Sequence, residues 1–447
     1  MSKNLIFLTM SRITDIERRG IYTDLLRKFR AEDWNVYIVA PHERSIGMPT
    51  ELVHFNDNHN DNDNDNDNEP SLRQAQDKLS SRHVSNDSNI KNEKGSVHIL
   101  GVRTLNLQKT STIEKGLGQV SVEMLYKNAI KKYLPDVSFD LILYSTPPIT
   151  FPNVIAYLKK RNPQAKTYLL LKDIFPQNAV DLGMMSKTGV KGFLYKFFRN
   201  KEKKLYRLSD YIGCMSPANV EYLLKHNPEI SADRVEVAPN SVELSVQSLE
   251  SVDKLKVREK YGLPVDKPIF IYGGNLGKPQ GIPFLIKCLE ANCTREDCYF
   301  VVIGTGTELP RLKAWYDNHN DNHNLNVTVM DGLPKKEYDE LVKACDVGLI
   351  FLDYRFSIPN YPSRLLSYLE NKMPVLCATD PNTDIGRIAE ENGYGYWCPS
   401  NDVAAFTSIL DKMIHSDRTA MGQKGYEYLC KNYLVQNTYE AIVKHLG

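Results

Sequence analysis

The sequence has no long apolar run and almost no net charge. Its 56 Lys and Arg residues nearly balance 55 Asp and Glu residues, so nothing in the charge indicates a nucleic-acid partner. No segment approaches the roughly 18 apolar residues that span a bilayer. The opening run NLIFLTM is too short for an export signal, so we predict a first strand and a cytoplasmic protein.

Several metal and nucleotide motifs are missing as well. The eight cysteines contain no C-x-x-C pair, which favours reduced structural thiols over a zinc site. There is no H-x-x-H, and no D-x-D follows a strand outside one Asn/Asp-rich run, so we expect a reaction that needs no metal. Neither a Walker loop nor a G-x-G-x-x-G fingerprint occurs.

Regular alternation of strand and helix patterns is what the sequence does contain. It predicts an α/β protein of two doubly wound, Rossmann-like domains that face each other across a cleft, spanning residues 1–242 and 243–421. A helical arm follows at 422–447. The composition changes to Asn, Asp, Ser and Gln over about 51–94, which predicts a disordered surface insertion.

The stretch 353–380 organises the second domain. An apolar strand and a loop precede a helix that we expect to start near 360–363, with Arg364 in its first turn, and Pro374 separates this helix from the next strand. A helix start at the carboxyl end of a parallel sheet favours an anionic ligand, and Arg364 would add a positive charge there.

Other loops of the second domain should converge on the same crevice. The glycine-rich turn 273–281 allows backbone N–H groups to approach a phosphate, and Lys278 adds a cation to it. Further strand-end loops lie at 304–307 and 331–334. The candidate residues for binding an anionic ligand in this crevice are Gly274, Asn275, Gly277, Lys278, Gly304, Gly306, Gly332, Leu333, Ser363 and Arg364.

The first domain offers fewer candidates. Asp173 follows five apolar residues, a costly position unless it contacts substrate, caps a helix or pairs with Lys172. Arg19 and Gly20 lie either in a substrate-binding turn or in a solvated loop. The basic, aromatic helix 189–207 is typical of a membrane-surface helix, or of an ordinary amphipathic helix with a basic solvent face.

Five strings together resemble a known family: IGTGTELP, DGLPKKEYDELVKACDVGLIFL, GGNLGKPQG, LKDIFPQNAVDLG and YPSRLLSYLENKMPVL. They are similar to the retaining glycosyltransferases of family 4, which have the GT-B architecture. The last three look more narrowly like the branch that builds bacterial capsular and O-antigen polysaccharides.

The resemblance implies a transferase with no cofactor and a nucleotide-sugar donor, with a UDP-sugar as the expected one. The acceptor would be lipid-linked or an oligosaccharide, and the protein could contact the inner face of the plasma membrane. Gly274, Asn275 and Gly277 would line the donor phosphates, and 331–333 would border the base. Asp173, as the catalytic acid, would lie on the acceptor side with Arg19 and Gly20. The last helix would cross back to the first domain.

The chain departs from the family pattern where two glutamates usually stand eight residues apart. Pro359 and Ser367 occupy those positions, so Glu370 is a stand-in for the glutamate that holds the ribose. Asn275 and Gln280 replace the usual Arg and Lys. A sugar-nucleotide epimerase and a non-catalytic partner subunit of the same architecture are the alternatives; a hinged solute-binding protein is disfavoured without an export signal.

Overall fold

The computed structural model describes residues 2–55, 95–106, 112–244, 252–319 and 325–447. The predicted Asn/Asp-rich insertion lies outside these ranges except for 51–55. The described residues form two parallel sheets, each covered by helices.

The strands are β1 Asn4–Leu8, β2 Asn35–Glu43, β3 Glu51–Phe55, β4 Val97–Thr104, β5 Leu141–Ser145, β6 Lys166–Leu171, β7 Tyr211–Cys214, β8 Val235–Val237, β9 Ile269–Asn275, β10 Tyr299–Thr305, β11 Val327–Asp331, β12 Val347–Phe351, β13 Val375–Thr379 and β14 Gly395–Pro399.

The α-helices are α1 Thr23–Ala31, α2 Thr112–Tyr133, α3 Pro152–Arg161, α4 Gln177–Asp181, α5 Gly189–Leu208, α6 Pro217–His226, α7 Lys254–Lys260, α8 Ile282–Asn292, α9 Leu309–His319, α10 Lys335–Ala344, α11 Arg364–Glu370, α12 Ile385–Glu391, α13 Val403–Ile414, α14 Arg418–Asn432 and α15 Val435–Val443.

The first sheet has the order β3-β4-β2-β1-β5-β6-β7-β8 and is parallel except for the β3–β4 pair. Its central strands β1 and β5 are almost entirely buried, and mostly apolar, because helices cover both faces. The strand order reverses at β1. The loops after β1 and β5 therefore meet at a topological switch point.

The predicted insertion begins later than expected. Glu51–Phe55 form β3, which runs antiparallel to β4 at the edge of the sheet. Leu52 and Phe55 pack against the two hydrophobic clusters of the first domain, one on each face of the sheet. The polar composition of the following residues hid this short edge strand.

The second sheet has the order β11-β10-β9-β12-β13-β14, and all its pairs are parallel. Its order reverses between β9 and β12, so this is the second switch point. The predicted strand Val375–Thr379 is confirmed, and Arg364 is the first residue of the predicted helix.

The two domains touch through the loop between β12 and α11. Phe356 and Ile358 of this loop lie in the hydrophobic cluster of the first domain, together with Ile174. Between them, Ser357 donates from its backbone N–H and from its hydroxyl to the carboxylate of Asp181, each over 2.8 Å. The carboxyl edges of the two sheets therefore face each other.

The last helix returns to the first domain. Ile442 of α15 is buried in the cluster that also contains Phe29 of α1. α14 stays with the second domain, where Gly422 and Gly425 lie close to Lys372 and Leu369. Within the predicted arm 422–447, α15 packs on α1, and Leu434 before it forms a parallel bridge with Val242.

In the described part of the chain, no helix has the length and apolar composition needed to cross a membrane.

Candidate functional site

A crevice opens at the switch point of the second sheet. β9 and β12 pair through Val347 with Phe270 and Gly348 with Ile271, and beyond these pairs the strands part. The hydroxyl of Tyr368 on α11 fills the gap. It accepts from the N–H of Gly273 over 3.2 Å and donates to the carbonyl of Ile271 over 3.1 Å. The backbone is thus satisfied where the ladder ends.

The glycine turn after β9 has one position that is open to a ligand. Gly274 has a φ of +114°, which side-chain-bearing residues rarely adopt, and no atom lies within 4 Å of the space a Cβ would occupy. Its backbone therefore borders free space at the carboxyl edge. A phosphate group could approach this backbone closely.

Two other candidate glycines have their side-chain space filled by the protein itself. A Cβ on Gly304 would lie 1.8 Å from the carbonyl oxygen of Gly274, and a Cβ on Gly306 would lie 2.3 Å from that of Leu276. Both glycines allow the ends of β9 and β10 to pack closely. This packing explains them without a ligand, and a donor contact at either stays a prediction.

Arg364 lies over the ring of Tyr272, with its guanidinium carbon 4.2 Å from the ring centroid. The buried Nη1 has no hydrogen-bond partner. No carboxylate of the described residues forms an ion pair with this cation. A guanidinium that is shielded from water and has an unused N–H donor is suited to bind an anion.

The glycine turn carries three further polar side chains, and only one of them is without a partner among the residues described. Lys278 is exposed, and its ammonium has no hydrogen-bond or ion-pair partner among the residues described. The Asn275 amide donates to Gln280 over 3.2 Å, and both side chains crowd the buried Gly277. Lys278 is therefore available for a phosphate, whereas Asn275 and Gln280 already hold each other.

The other predicted donor residues lie at the same edge. Gly332 is exposed after β11, and Leu333 packs partly against the cluster beneath it. Ser363 is exposed, and its side chain makes no capping bond to α11. Their roles stay predictions.

Glu370 does not lie beside the predicted donor position. It is the last residue of α11, six residues after Arg364 and so roughly 9 Å further along the axis. Its carboxylate accepts from Arg19 Nη2 of the first domain over 2.8 Å. The same nitrogen donates to the carbonyl of Glu243 over 2.9 Å. This interdomain bridge engages both side chains, and the ribose contact of Glu370 and the acceptor-side role of Arg19 stay predictions.

Gly20 is also held by its neighbours. Its N–H donates to the Asp24 carboxylate over 2.8 Å, and its carbonyl accepts from the Asp24 N–H over 2.8 Å. Gly20 lies in the loop after β1, at the switch point of the first sheet. Its amide is therefore not free for a ligand.

Asp173 follows β6 and does not pair with Lys172. Both carboxylate oxygens accept from the Asn178 amide, over 3.0 and 2.9 Å, while the Lys172 ammonium donates to the carbonyl of Ala238 over 3.2 Å. Burial raises the pKa of Asp173 to about 6 and lowers the pKa of Lys172 to about 7. The carboxyl can therefore exchange a proton near neutral pH.

Asp173 and Arg364 lie on or directly beside two segments that contact each other. Asp173 begins the segment 173–181, which meets the loop 352–363 through the Asp181–Ser357 hydrogen bonds. Arg364 directly follows that loop. The arrangement brings an acid of one domain and an anion-binding cation of the other to the same interdomain region.

A cavity of about 460 Å³ also lies between the domains, and none of the predicted site residues lines it. Its lining includes Ser216 and Val237 of the first domain and Arg387, Tyr428 and Asn437 of the second. This cavity and the crevice at Arg364 are therefore separate.

The sequence did not indicate Tyr272, Tyr368 or Asn178. Tyr272 and Tyr368 occur in apolar patterns that only predict burial. Asn178 lies five residues after Asp173, a spacing that could have indicated a local hydrogen bond.

The comparisons with known proteins also point to glycosyltransferases. Residues 253–428 match the family model described as glycosyl transferases group 1. This segment, which is less than half of the chain, is similar to that family.

Two relatives are similar over longer stretches. "Probable glycosyltransferase WbjE" of Pseudomonas aeruginosa is 24% identical over 331 residues, which cover 73% of this chain and 78% of the relative. "Putative colanic acid biosynthesis glycosyl transferase WcaI" of Escherichia coli strain K12 is 23% identical over 230 residues, covering 51% of this chain and 54% of WcaI.

Solved structures share the two-domain fold. Sucrose-phosphate synthase of Thermosynechococcus elongatus matches with a TM-score of 0.69 and 13% identity over 99% of this chain and 98% of its own. HepE of Anabaena, solved in complex with UDP, matches with a TM-score of 0.62 and 13% identity over 99% of each chain. The chain therefore has the GT-B fold.

Proposed function

We propose that this protein is a glycosyltransferase that moves a sugar from a UDP-sugar to a lipid-linked or oligosaccharide acceptor, with retention of the anomeric configuration, in cell-surface polysaccharide synthesis. The bond between the anomeric carbon and the phosphate oxygen breaks, and a bond from the acceptor hydroxyl oxygen to that carbon forms. The hydroxyl proton passes to the leaving phosphate.

The observation that carries the proposal is the state of Arg364. Its guanidinium is stacked on Tyr272, has a buried donor without an acceptor and faces no carboxylate of the described residues. A nucleoside diphosphate would supply the missing acceptors and the opposite charge. Negative charge grows on the leaving phosphate during transfer, so a fixed cation here stabilises the transition state.

Two neighbouring features suit the same ligand. The open space at Gly274 admits phosphate oxygens to the backbone, and the exposed Lys278 can reach over them. The described residues hold no group of three metal-ligating side chains. That the reaction needs no metal stays a prediction.

Asp173 is the residue that we propose to contact the acceptor. With a pKa near 6, its carboxyl is mostly ionised at neutral pH and can accept a hydrogen bond from an acceptor hydroxyl. Asn178 holds the carboxylate through both oxygens and so fixes its orientation.

Names of relatives and structural neighbours support the substrate classes. HepE was solved with UDP and with UDP-glucose, and WcaI is named for colanic acid biosynthesis.

The test is a thermal-shift and calorimetric screen against UDP, GDP, dTDP and CMP, each with and without magnesium. We expect UDP to raise the melting temperature most and to do so without the metal. If only a different nucleoside diphosphate stabilised the protein, the base of the proposed donor would be reassigned accordingly. Transfer of radiolabelled sugar to an extracted lipid fraction, followed by anomeric analysis of the product, then tests acceptor and retention.

A non-catalytic partner subunit is the second candidate, and one observation favours it. The stand-in glutamate of the ribose site is engaged by Arg19, and Ser367 and Pro359 occupy the usual glutamate positions. UDP binding without turnover by the purified protein would select this candidate, whereas turnover would eliminate it.

A further inference from the structure

The amino-terminal half of α5 exposes large apolar side chains. Phe193, Leu194 and Phe197 are 81%, 48% and 40% exposed, and Met184 in the preceding loop is 51% exposed. Phe193 and Phe197 are one helical turn apart, so they share one face. Single exposed apolar residues are common on proteins, but such a group marks a contact surface.

The cations of this helix fall into two groups. Arg199 is paired with Glu202, and Lys201 is paired with Glu123 of α2 over 3.0 Å, so both serve packing inside the domain. Lys196, next to Phe197, is exposed and has no carboxylate partner among the described residues. The apolar group is thus bordered by free positive charge.

The opposite face of α5 covers the acceptor side of the cleft. Phe198 packs edge-on against Phe175, with ring centroids 5.2 Å apart, and Phe175 lies two residues after Asp173. One helix thus separates the exposed surface from the candidate acid.

We propose that the surface formed by Phe193, Leu194, Phe197 and Met184 docks on an anionic lipid bilayer and brings a lipid-linked acceptor to the rim of the cleft beside Asp173. The apolar side chains enter the acyl boundary, and Lys196 meets anionic headgroups. None of these surface residues is a carboxylate, so a symmetric contact through the same surface of a second copy would give Lys196 no opposite charge, which disfavours that occupant. The docking stands on this surface alone; its link to an acceptor rests on the proposed function.

The test measures binding of the full chain to sedimenting vesicles. Vesicles of phosphatidylcholine alone are compared with vesicles that contain phosphatidylglycerol, at low and high salt. The variant F193S/F197S removes the apolar part, and K196E reverses the neighbouring charge. L255S, which removes an exposed leucine from α7 of the second domain, is the matched control.

We expect binding to phosphatidylglycerol vesicles that weakens with salt. F193S/F197S should reduce partitioning by about tenfold or more, K196E should reduce it less, and L255S should match the wild type. Wild type that stays in solution with both vesicles, or a double variant that binds as well as wild type, would overturn the proposal. A wild-type dimer that F193S/F197S converts to a monomer would reassign the surface to self-association.

The UDP thermal shift of each variant separates this proposal from the proposed function. F193S/F197S should keep the wild-type shift while losing vesicle binding. If wild type shows vesicle binding but no response to any nucleotide, the docking surface stands and the donor assignment fails.

Discussion

Arg364 is held in a position that the isolated protein only partly stabilises. Stacking on Tyr272 contributes about 0.5–2 kcal/mol, while the unpartnered donor costs about 1–3 kcal/mol. The two contributions are of similar size, so the protein's own contacts neither strongly favour nor strongly disfavour this position of the guanidinium. An arriving anion removes the cost and keeps the stacking.

The variant R364Q should bind UDP about 10- to 150-fold more weakly than wild type, because it loses a charge-assisted hydrogen bond of about 1.5–3 kcal/mol. Its melting temperature without nucleotide should stay close to that of wild type, since an unsatisfied donor is also lost. Calorimetry and thermal melts check both. R311Q, which removes an exposed arginine from α9, is the control; a large loss of stability with normal binding would make Arg364 structural.

Asp173 gives a pH prediction for activity and stability. Because its folded pKa is about 6 and its ordinary value is 3.8, the folded chain holds more protons between these values. Its contribution to stability is therefore complete below about pH 3.8 and is lost as the pH rises through about 6. D173N should be at least as stable as wild type at pH 7.5.

Activity should move the other way. Transfer by wild type should rise with pH through about 6 as the carboxylate forms, and D173N should lose both most of the transfer and this rise while it keeps UDP binding. Rate profiles from pH 5 to 8 check the prediction. Equal loss of nucleotide binding would place Asp173 in a structural role.

Sequence reasoning identified the charged residues of the site better than their partners. Arg364 and Asp173 were visible because charge beside apolar strands is unusual. The partner of Glu370 was not predicted, because spacing along the chain does not show which end of a short helix meets the other domain. The contact of Arg19 with Glu370 joins residues 351 positions apart, which no local pattern reports.

At the scale of elements, α11 connects the donor position with the first domain. Arg364 is its first residue and Glu370, bound to Arg19, is its last. The helix is therefore fixed at one end by the other domain.

A double-mutant cycle of R19A and E370A should show a coupling energy of about 0.2–1 kcal/mol in urea unfolding, because the pair is partly exposed. The single variants should also raise the KM for donor more than they lower kcat, since the helix position and not the chemistry is altered. Additive effects on unfolding would show that the pair contributes nothing to stability.

The β3–β4 edge contains a histidine pair that should respond to acid. The Nδ1 atoms of His54 and His98 are 2.5 Å apart, so one ring must donate while the other accepts. Burial lowers the pKa of His98 to about 3 and also lowers that of His54. Below about pH 6.5 the unfolded chain binds protons that the folded chain does not, so stability should fall as the pH falls.

H54Q should reduce this fall by up to about 1.4 kcal/mol per pH unit, the value for one proton. Urea unfolding at pH 7.5, 6 and 5 measures it. Burial raises the pKa of Asp380 to about 6 and so opposes the trend below that pH, but this group is unchanged in both proteins and cancels in their difference. If stability fell equally with pH in H54Q and wild type, protonation of the histidine pair would not destabilise the folded chain.

At the scale of the whole molecule, the sequence predicted the two doubly wound domains because strand and helix periods alternate along most of the chain. It could not predict how the domains touch. The contact uses a loop, 352–363, whose apolar residues Phe356 and Ile358 follow no strand or helix period. Their burial depends on the position of the other domain.

This loop gives a prediction about domain closure. Phe356 is 2% exposed, yet its neighbours belong to the first domain, so F356A should weaken the contact between domains more than the core of either. Phe406 is also 2% exposed but lies inside the second domain, so F406A is the matched control. Both substitutions remove a buried ring, at a cost of about 3–5 kcal/mol in a well-packed core.

Small-angle scattering and calorimetry separate the two variants. F356A should increase the radius of gyration and split thermal unfolding into two transitions, while UDP binding stays within about threefold of wild type because the donor crevice lies in one domain. F406A should lower the melting temperature of the second domain without changing the radius. If F356A keeps the wild-type radius but abolishes UDP binding, the loop shapes the donor site itself, and closure depends on other contacts such as the Arg19–Glu370 bridge.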